Sequence, residues 1–102
     1  KLIHAQPEII HWLKVVEKAI GCKPIIYTSP ATWDFEFLGD FSQYSLWLAD
    51  YSNKPTLPNY WKKWAFWQFN SSGNVAGIEG SVDVNHFNGD TDKLNSFVCI
   101  KW

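Results

Sequence analysis

The sequence predicts an α/β fold of about four strands with flanking helices, in which the later strands are joined without helices. Three observations carry that expectation. An apolar stripe at helical spacing runs straight into a short β-branched stretch near the start, three more strand-like runs follow, and the links between those three are rich in turn residues and lack helical periodicity. At 102 residues the chain can bury one modest core, and it is too short for two domains or for a complete eight-stranded α/β barrel.

The first element is the stretch "PEIIHWLKVVEKAIG". Pro7 suits a first helical turn, Glu8 complements the positive helix end, Ile9, Leu13, Val16 and Ile20 form a stripe, and Gly21 can close the helix. "KPIIYTSP" then reads as a buried strand bounded by prolines. In "ATWDFEF" the aromatics alternate with acids as in a strand, while Trp33, Phe37 and Phe41 also fall at helical spacing. Ser29 as cap, Pro30 in the first turn and Gly39 as terminator decide for a short helix. Strands are expected at residues 45–51, 64–70 and 81–85, linked by "SNKPTLPNYWKK" and "SSGNVAGIEG". A closing helix in "DTDKLNSFV", capped by Asp90 or Thr91, is expected to carry Leu94, Phe97 and Val98 inward.

Composition excludes several function classes. The net charge is -1, and the nine lysines, with no arginine, are scattered, so there is no basic stripe for nucleic acid. No apolar stretch approaches the length of a membrane-spanning helix, and no signal-peptide pattern occurs. The chain lacks methionine and opens on "KLIHAQPE", from which a fragment is expected. Cys22 and Cys99 are too far apart in sequence for a CxxC motif and leave one disulfide or two buried thiols, with thiols slightly favoured because nothing fixes the compartment. His86 lies near Asp83, but His4 and His11 sit at the other end of the chain, so no metal site is expected, and no cofactor fingerprint is present. Seven tryptophans would serve a core or a sugar-binding face equally well.

Asp34 and Glu36 pose the question of a catalytic carboxylate pair, since glycosidases commonly use two. On a helix, residues two apart point about 200° away from each other and cannot converge on one bond. As strand residues they would stand roughly 6.5 to 7 Å apart, compatible with an inverting separation. The helical punctuation favours two solvated carboxylates.

The ordered segments "PIIYTSPATW", "LWLADY" and "WAFWQFNSSGNVAGIEGSVDVNHFNG" resemble the C-terminal half of glycoside hydrolase family 25, the Chalaropsis-type lysozymes, over roughly residues 7–98. The most specific part runs from Trp67-Gln68 through Gly77, Ile78 and Gly80 to Val82-Asp83-Val84-Asn85. The resemblance implies the C-terminal half of a flattened (β/α)-type, TIM-like barrel, with the four strands here as its last four and hairpin-like connections among the last three. It also implies hydrolysis of the β-1,4 bond from N-acetylmuramic acid to N-acetylglucosamine in peptidoglycan. The family's Asp-x-Glu pair would fall upstream, in an amino-terminal half that this chain lacks.

The family's last-strand aspartate maps onto Asp83. Alternation in "SVDVN" places Ser81, Asp83 and Asn85 on one face and Val82 and Val84 on the other. Tyr27, Trp47, Asp50, Tyr51, Trp67 and Gln68 stand at or near strand ends and are candidates for lining a sugar cleft with Asn85, although alternation requires about half to face outward. Many family members carry a basic residue at the position of Asp50. The implied partners are peptidoglycan glycan strands together with the missing amino-terminal half or a second copy of the chain, since an open half-barrel has two bare edges. The alternative is a non-catalytic glycan-binding or structural half-barrel. A parent that is secreted or phage-encoded and acts on the bacterial cell wall is the expected setting.

Overall fold

The computed structural model describes residues 5–36 and 39–99. Helix α1 (Ala5–Ile20) leads into β1 (Ile25–Thr28), α2 (Pro30–Glu36), β2 (Ser45–Ala49), β3 (Phe66–Gly73), β4 (Val82–Phe87) and α3 (Thr91–Asn95). The strands form one sheet in the order β1-β2-β3-β4. This is the α/β cadence that the sequence predicts.

The helices end where their chemistry requires. Gly21, at φ 78°, donates its N–H to the Glu17 carbonyl and turns the chain out of α1. Ser29 Oγ accepts the Thr32 N–H at the start of α2, with Pro30 at the first helical position. Asp90 Oδ1 accepts the Lys93 N–H at 2.8 Å and caps α3. Asp34 and Glu36 lie on helical backbone, as expected, while their side chains, like Phe37 and His4, lie outside the described residues.

Strand direction departs from expectation. β1 pairs parallel to β2 and β2 pairs parallel to β3, so among the described residues only β3 and β4 form an antiparallel hairpin. The expected hairpin-like link between β2 and β3 is instead a crossover through residues 50–65 that contains no helix. Turn residues tell where a chain leaves a strand, and they do not tell on which side it returns. Because β4 runs backwards, its beginning lies at the same end of the sheet as the finishing ends of β1, β2 and β3. The β3–β4 ladder shifts register between Gln68 and Asn70 and again between Asn70 and Gly73. Gly73 is required there, since a Cβ would run into the Val84 side chain and approach the Val82 carbonyl oxygen to 3.2 Å.

The core lies on the helix side of the sheet. Leu46 and Leu48 of β2 are buried with Leu13 of α1, Trp33 of α2, Phe41, Tyr44 and Trp61. Trp33 packs edge-on against Phe41 and Trp61, and the Trp61 indole donates to the Tyr44 carbonyl at 2.9 Å. The stripe read in α1 is buried only at its middle: Leu13 is enclosed and Ile10 packs on the core, whereas Ile9 and Ile20 are exposed. The closing helix also differs from expectation. Leu94 and Val98 are exposed, because a helix of only five residues presents them to solvent, and Phe97 alone turns in, against Phe66 and Phe87.

Cys22 and Cys99 are joined in a disulfide, which corrects the leaning toward thiols. The bridge ties the loop before β1, at one edge of the sheet, to the segment after α3, which follows the strand at the other edge. Its 77-residue separation corresponds to roughly 4 to 5 kcal/mol of loop entropy removed from the unfolded chain. Replacing both cysteines with serine is expected to lower the free energy of unfolding by about 2–5 kcal/mol in urea titration. An unchanged midpoint would contradict a stabilising role.

Candidate active site

Gln68 stands near the middle of β3 with 5% of its surface exposed, and a buried amide needs partners. Two tyrosines supply them. Tyr27, on β1, donates its hydroxyl to Gln68 Oε1 at 2.6 Å, and Tyr51, just past β2, donates to the same oxygen at 3.0 Å. Neighbouring strand residues point to opposite faces, so this bond also fixes which side chains share the open face. Tyr27 meets Trp47 edge-on at 6.1 Å between ring centres, Trp47 stacks on Phe66 at 4.7 Å, and the Trp47 indole reaches across β3 to donate to Asn85 Oδ1 at 2.8 Å. Gln68 and Asn85 are directly paired in the ladder.

Asp83 is two residues before Asn85 on the same strand and is exposed on that face. Its carboxylate is close enough to disfavour ionisation of Tyr27. The Tyr27 phenol is pushed above its ordinary value of 10.0 by burial first, then by Tyr51 and Asp83, with the Gln68 bond acting in the opposite direction. The structure thus gathers Tyr27, Trp47, Tyr51, Gln68, Asp83 and Asn85 on one face of the sheet, and five of them meet in two hydrogen-bonded groups. A cavity of about 330 Å³ opens beside Tyr27 at the finishing ends of β1 and β2, lined also by Thr28, Ser29, Thr32 and Ala49. A second cavity of about 370 Å³ opens at the opposite strand ends, between residues 42–46 and 60–65.

Two candidates are placed elsewhere. Trp67 points to the side opposite Gln68, where it packs with Trp64, Phe69 and His86 and donates its indole N–H to the Asp50 carbonyl at 2.7 Å. Asp50 organises the crossover: its carboxylate accepts the N–H and hydroxyl of Ser52 and the N–H of Thr56. Burial acts to raise the Asp50 pKa, and the bonds from Thr56 and Ser52 outweigh it, so the carboxyl is held below the ordinary value of 3.8. That carboxylate is occupied by backbone and a neighbouring serine.

Sequence reasoning missed Phe66 and Phe87, which share the open face with Gln68 and Asn85. The signal was present, since each lies two residues from one of them, and Phe66 packs against Trp47, Phe87 and Phe97. Among the described residues no three His, Cys, Asp or Glu side chains converge as a metal site would require.

Comparison with known proteins assigns residues 3–78 to a family model described as glycosyl hydrolases family 25. That match ends before β4 and so does not include Asp83. An uncharacterized protein YegX of Escherichia coli O157:H7 is 41% identical over 90 residues, covering 88% of this chain and 33% of YegX. Lysozyme M1 of Streptomyces globisporus is 34% identical over 74 residues, covering 69% of this chain and 25% of the lysozyme. The solved structure of a muramidase from Acremonium alcalophilum superposes with a TM-score of 0.80 at 27% identity, covering 95% of this chain and 46% of the muramidase. The chain therefore spans about a third of its curated relative YegX and under half of that solved structure. The part it matches is a mixed α/β, mostly parallel four-stranded open sheet within a (β/α)-barrel architecture.

The geometry predicts how Tyr27 titrates. Because the folded state holds the Tyr27 proton more tightly than an unfolded tyrosine of pKa 10.0, the corresponding stability is fully present below pH 10 and is lost as pH rises through the raised folded value. Ultraviolet titration of the tyrosines should therefore show a late component to which the buried Tyr44 also contributes, and which becomes smaller in Tyr27→Phe and moves in part to lower pH in Asp83→Asn. An Asp83→Asn titration that overlays the parent curve would separate Asp83 from Tyr27.

Proposed function

The chain belongs to glycosyl hydrolases family 25, and from that premise we propose that it forms the carboxy-terminal half of a muramidase active site, acting on the β-1,4 bond between N-acetylmuramic acid and N-acetylglucosamine in peptidoglycan. The observation that carries this reading is the convergence of Tyr27, Tyr51 and Gln68 on the open face that also bears Trp47, Asp83 and Asn85, at the strand ends where barrel enzymes assemble their sites.

Each group has a chemical task. The Asp83 carboxylate stabilises the positive charge that develops on the sugar ring as the glycosidic bond breaks. Trp47 offers an aromatic surface to the C–H face of a pyranose, and the hydroxyl and amide groups of Tyr27, Tyr51 and Gln68 hold polar substituents of the glycan. Protonation of the leaving oxygen falls to the Asp-x-Glu pair of the amino-terminal half. That Asp83 is the one carboxylate on this face among the described residues supports a second reading, in which the half-barrel binds cell-wall glycan without cleaving it. The disulfide suits a protein working outside the reducing cytoplasm.

The sheet itself requires a partner. Among the described residues β1 and β4 are edge strands, and the face between them carries Tyr27 at 57% exposure together with Trp47 and Phe66. The amino-terminal half of the barrel, or a second copy of the chain, covers these edges. Light scattering of the isolated chain at micromolar concentration is expected to report dimers or larger assemblies, and a monodisperse monomer would count against this.

Catalysis is tested by fusing the amino-terminal half of the Acremonium alcalophilum muramidase ahead of this chain and measuring new reducing ends from purified peptidoglycan. The expected result is turnover in the folded fusion that falls at least a hundredfold in Asp83→Asn, on the order of what a stabilising group contributes to such a transition state. Glycan binding by a folded fusion without release of reducing ends would favour the binding reading and defeat the catalytic one.

A further inference from the structure

The cavity at the strand-starting ends is built from groups that the open face does not use. Its apolar lining is Leu46, Trp61 and Ala65; the first two are buried, and the Trp61 indole N–H is committed to the Tyr44 carbonyl at 2.9 Å. Its rim is cationic. Lys62 and Lys63 both line it, both are exposed, and among the described residues neither ammonium group is held by a hydrogen bond or an ion pair. Lys23 adds a positive charge beside them, donating to the Gln43 carbonyl at 2.9 Å. Of the acids in this region, Asp40 accepts the Ser42 N–H and hydroxyl and Glu17 acts on the buried Tyr44 phenol, and neither lines the cavity. The opening therefore favours an anion.

Tyr60 narrows the ligand class. It stands in a turn at φ 78°, the one non-glycine residue at positive φ among the described residues, where glycine or asparagine is the unstrained choice. Its ring does not serve the core, since 59% of the residue is exposed. A bulky aromatic held on strained backbone at the mouth of a cavity is explained by what its ring meets rather than by what it packs against. A tyrosine face suits the C–H surface of a sugar ring, and two adjacent ammonium groups suit the two negative charges of a phosphate. At about 370 Å³ the space falls in the range of small-molecule pockets. We propose that this cavity is a second binding site, specific for a phosphate-bearing sugar of a glycan, with Lys62 and Lys63 on the phosphate and Tyr60 on the ring. It lies at the end of the sheet opposite Asp83, so it goes beyond the muramidase reading and does not depend on it. Occupied, it holds the chain on a phosphate-bearing polymer and leaves the open face free.

The test titrates the isotope-labelled chain, in about 150 mM salt, with glucose 6-phosphate, glucose, glycerol 3-phosphate and glucuronate, followed by nuclear magnetic resonance. None of these carries the N-acetyl groups of the proposed muramidase substrate. Glucose 6-phosphate is expected to bind about tenfold tighter than glucose, and about threefold tighter than the ring-free glycerol 3-phosphate or the singly charged glucuronate. It should shift the Trp61 indole signal and leave that of Trp47, on the open face, in place. The Lys62→Gln, Lys63→Gln double variant should bring glucose 6-phosphate down to the affinity of glucose. Tyr60→Gly relieves the backbone while removing the ring, so it should weaken glucose and glucose 6-phosphate alike by about threefold or more, with a thermal midpoint equal to or above that of the parent. Equal affinity of the parent for glucose and glucose 6-phosphate, a preference that survives the double lysine variant, or shifts at Trp47 in place of Trp61 overturns the inference. So does tighter binding of glucuronate than of glucose 6-phosphate, or unchanged affinity in Tyr60→Gly. Each of these results leaves the muramidase reading standing, because that reading is tested at the other end of the sheet by the release of reducing ends.

Discussion

A buried amide that must be satisfied organises this four-stranded sheet. Gln68 sits on the third of four strands with almost no solvent contact, and the groups that pay its desolvation come from β1 and from the end of β2. Meeting that demand ties the finishing ends of β1 and β2 to β3. The return strand β4 is then registered beside Gln68 through Asn85, which is itself held by the Trp47 indole from two strands away. The polar face is thus a set of mutual constraints rather than a collection of side chains that happen to point the same way.

The other face does different work. Leu46 and Leu48 close against α1, α2 and Trp61 in a conventional apolar layer, and β2 is the strand on which both systems depend. Its alternation, leucines to one side and Trp47 to the other, couples the packing of the core to the placement of the site. The disulfide adds a constraint at the opposite strand ends, where Phe97 of the tethered segment covers the lower aromatics of the open face. Stability is concentrated at that end and on the helix side, while the groups suited to chemistry stand at the free end.

Much of this was legible in the residues. The caps Ser29 and Asp90 and the turn at Gly21 gave the helix limits, and the β-branched and aromatic runs gave the strands. Direction was not legible, because periodicity is the same read up or down a strand, and so the parallel pairing of β2 with β3 was missed. Among site residues, proximity to a strand end selected Trp67 and Asp50 together with Tyr27 and Gln68, but Trp67 differs from Gln68 by one position and so takes the other face. Asp50 was misleading for another reason: a carboxylate followed by Ser52 and Thr56 finds local N–H groups first, a competition that composition does not display. The cysteines could not be paired from sequence separation, since bringing their ends together depends on the path of the chain after α3.

The account depends most on the face and register that β4 takes beside β3. The nuclear Overhauser contact between the Trp47 indole proton and the Asn85 side chain measures both at once, because Trp47 must lie on the open face and Asn85 must stand opposite Gln68 for the two to meet at 2.8 Å. A strong contact is predicted. Contacts from that indole proton to Leu13, Trp33 or Trp61 on the helix side instead would contradict the account and remove Asp83 from the proposed site.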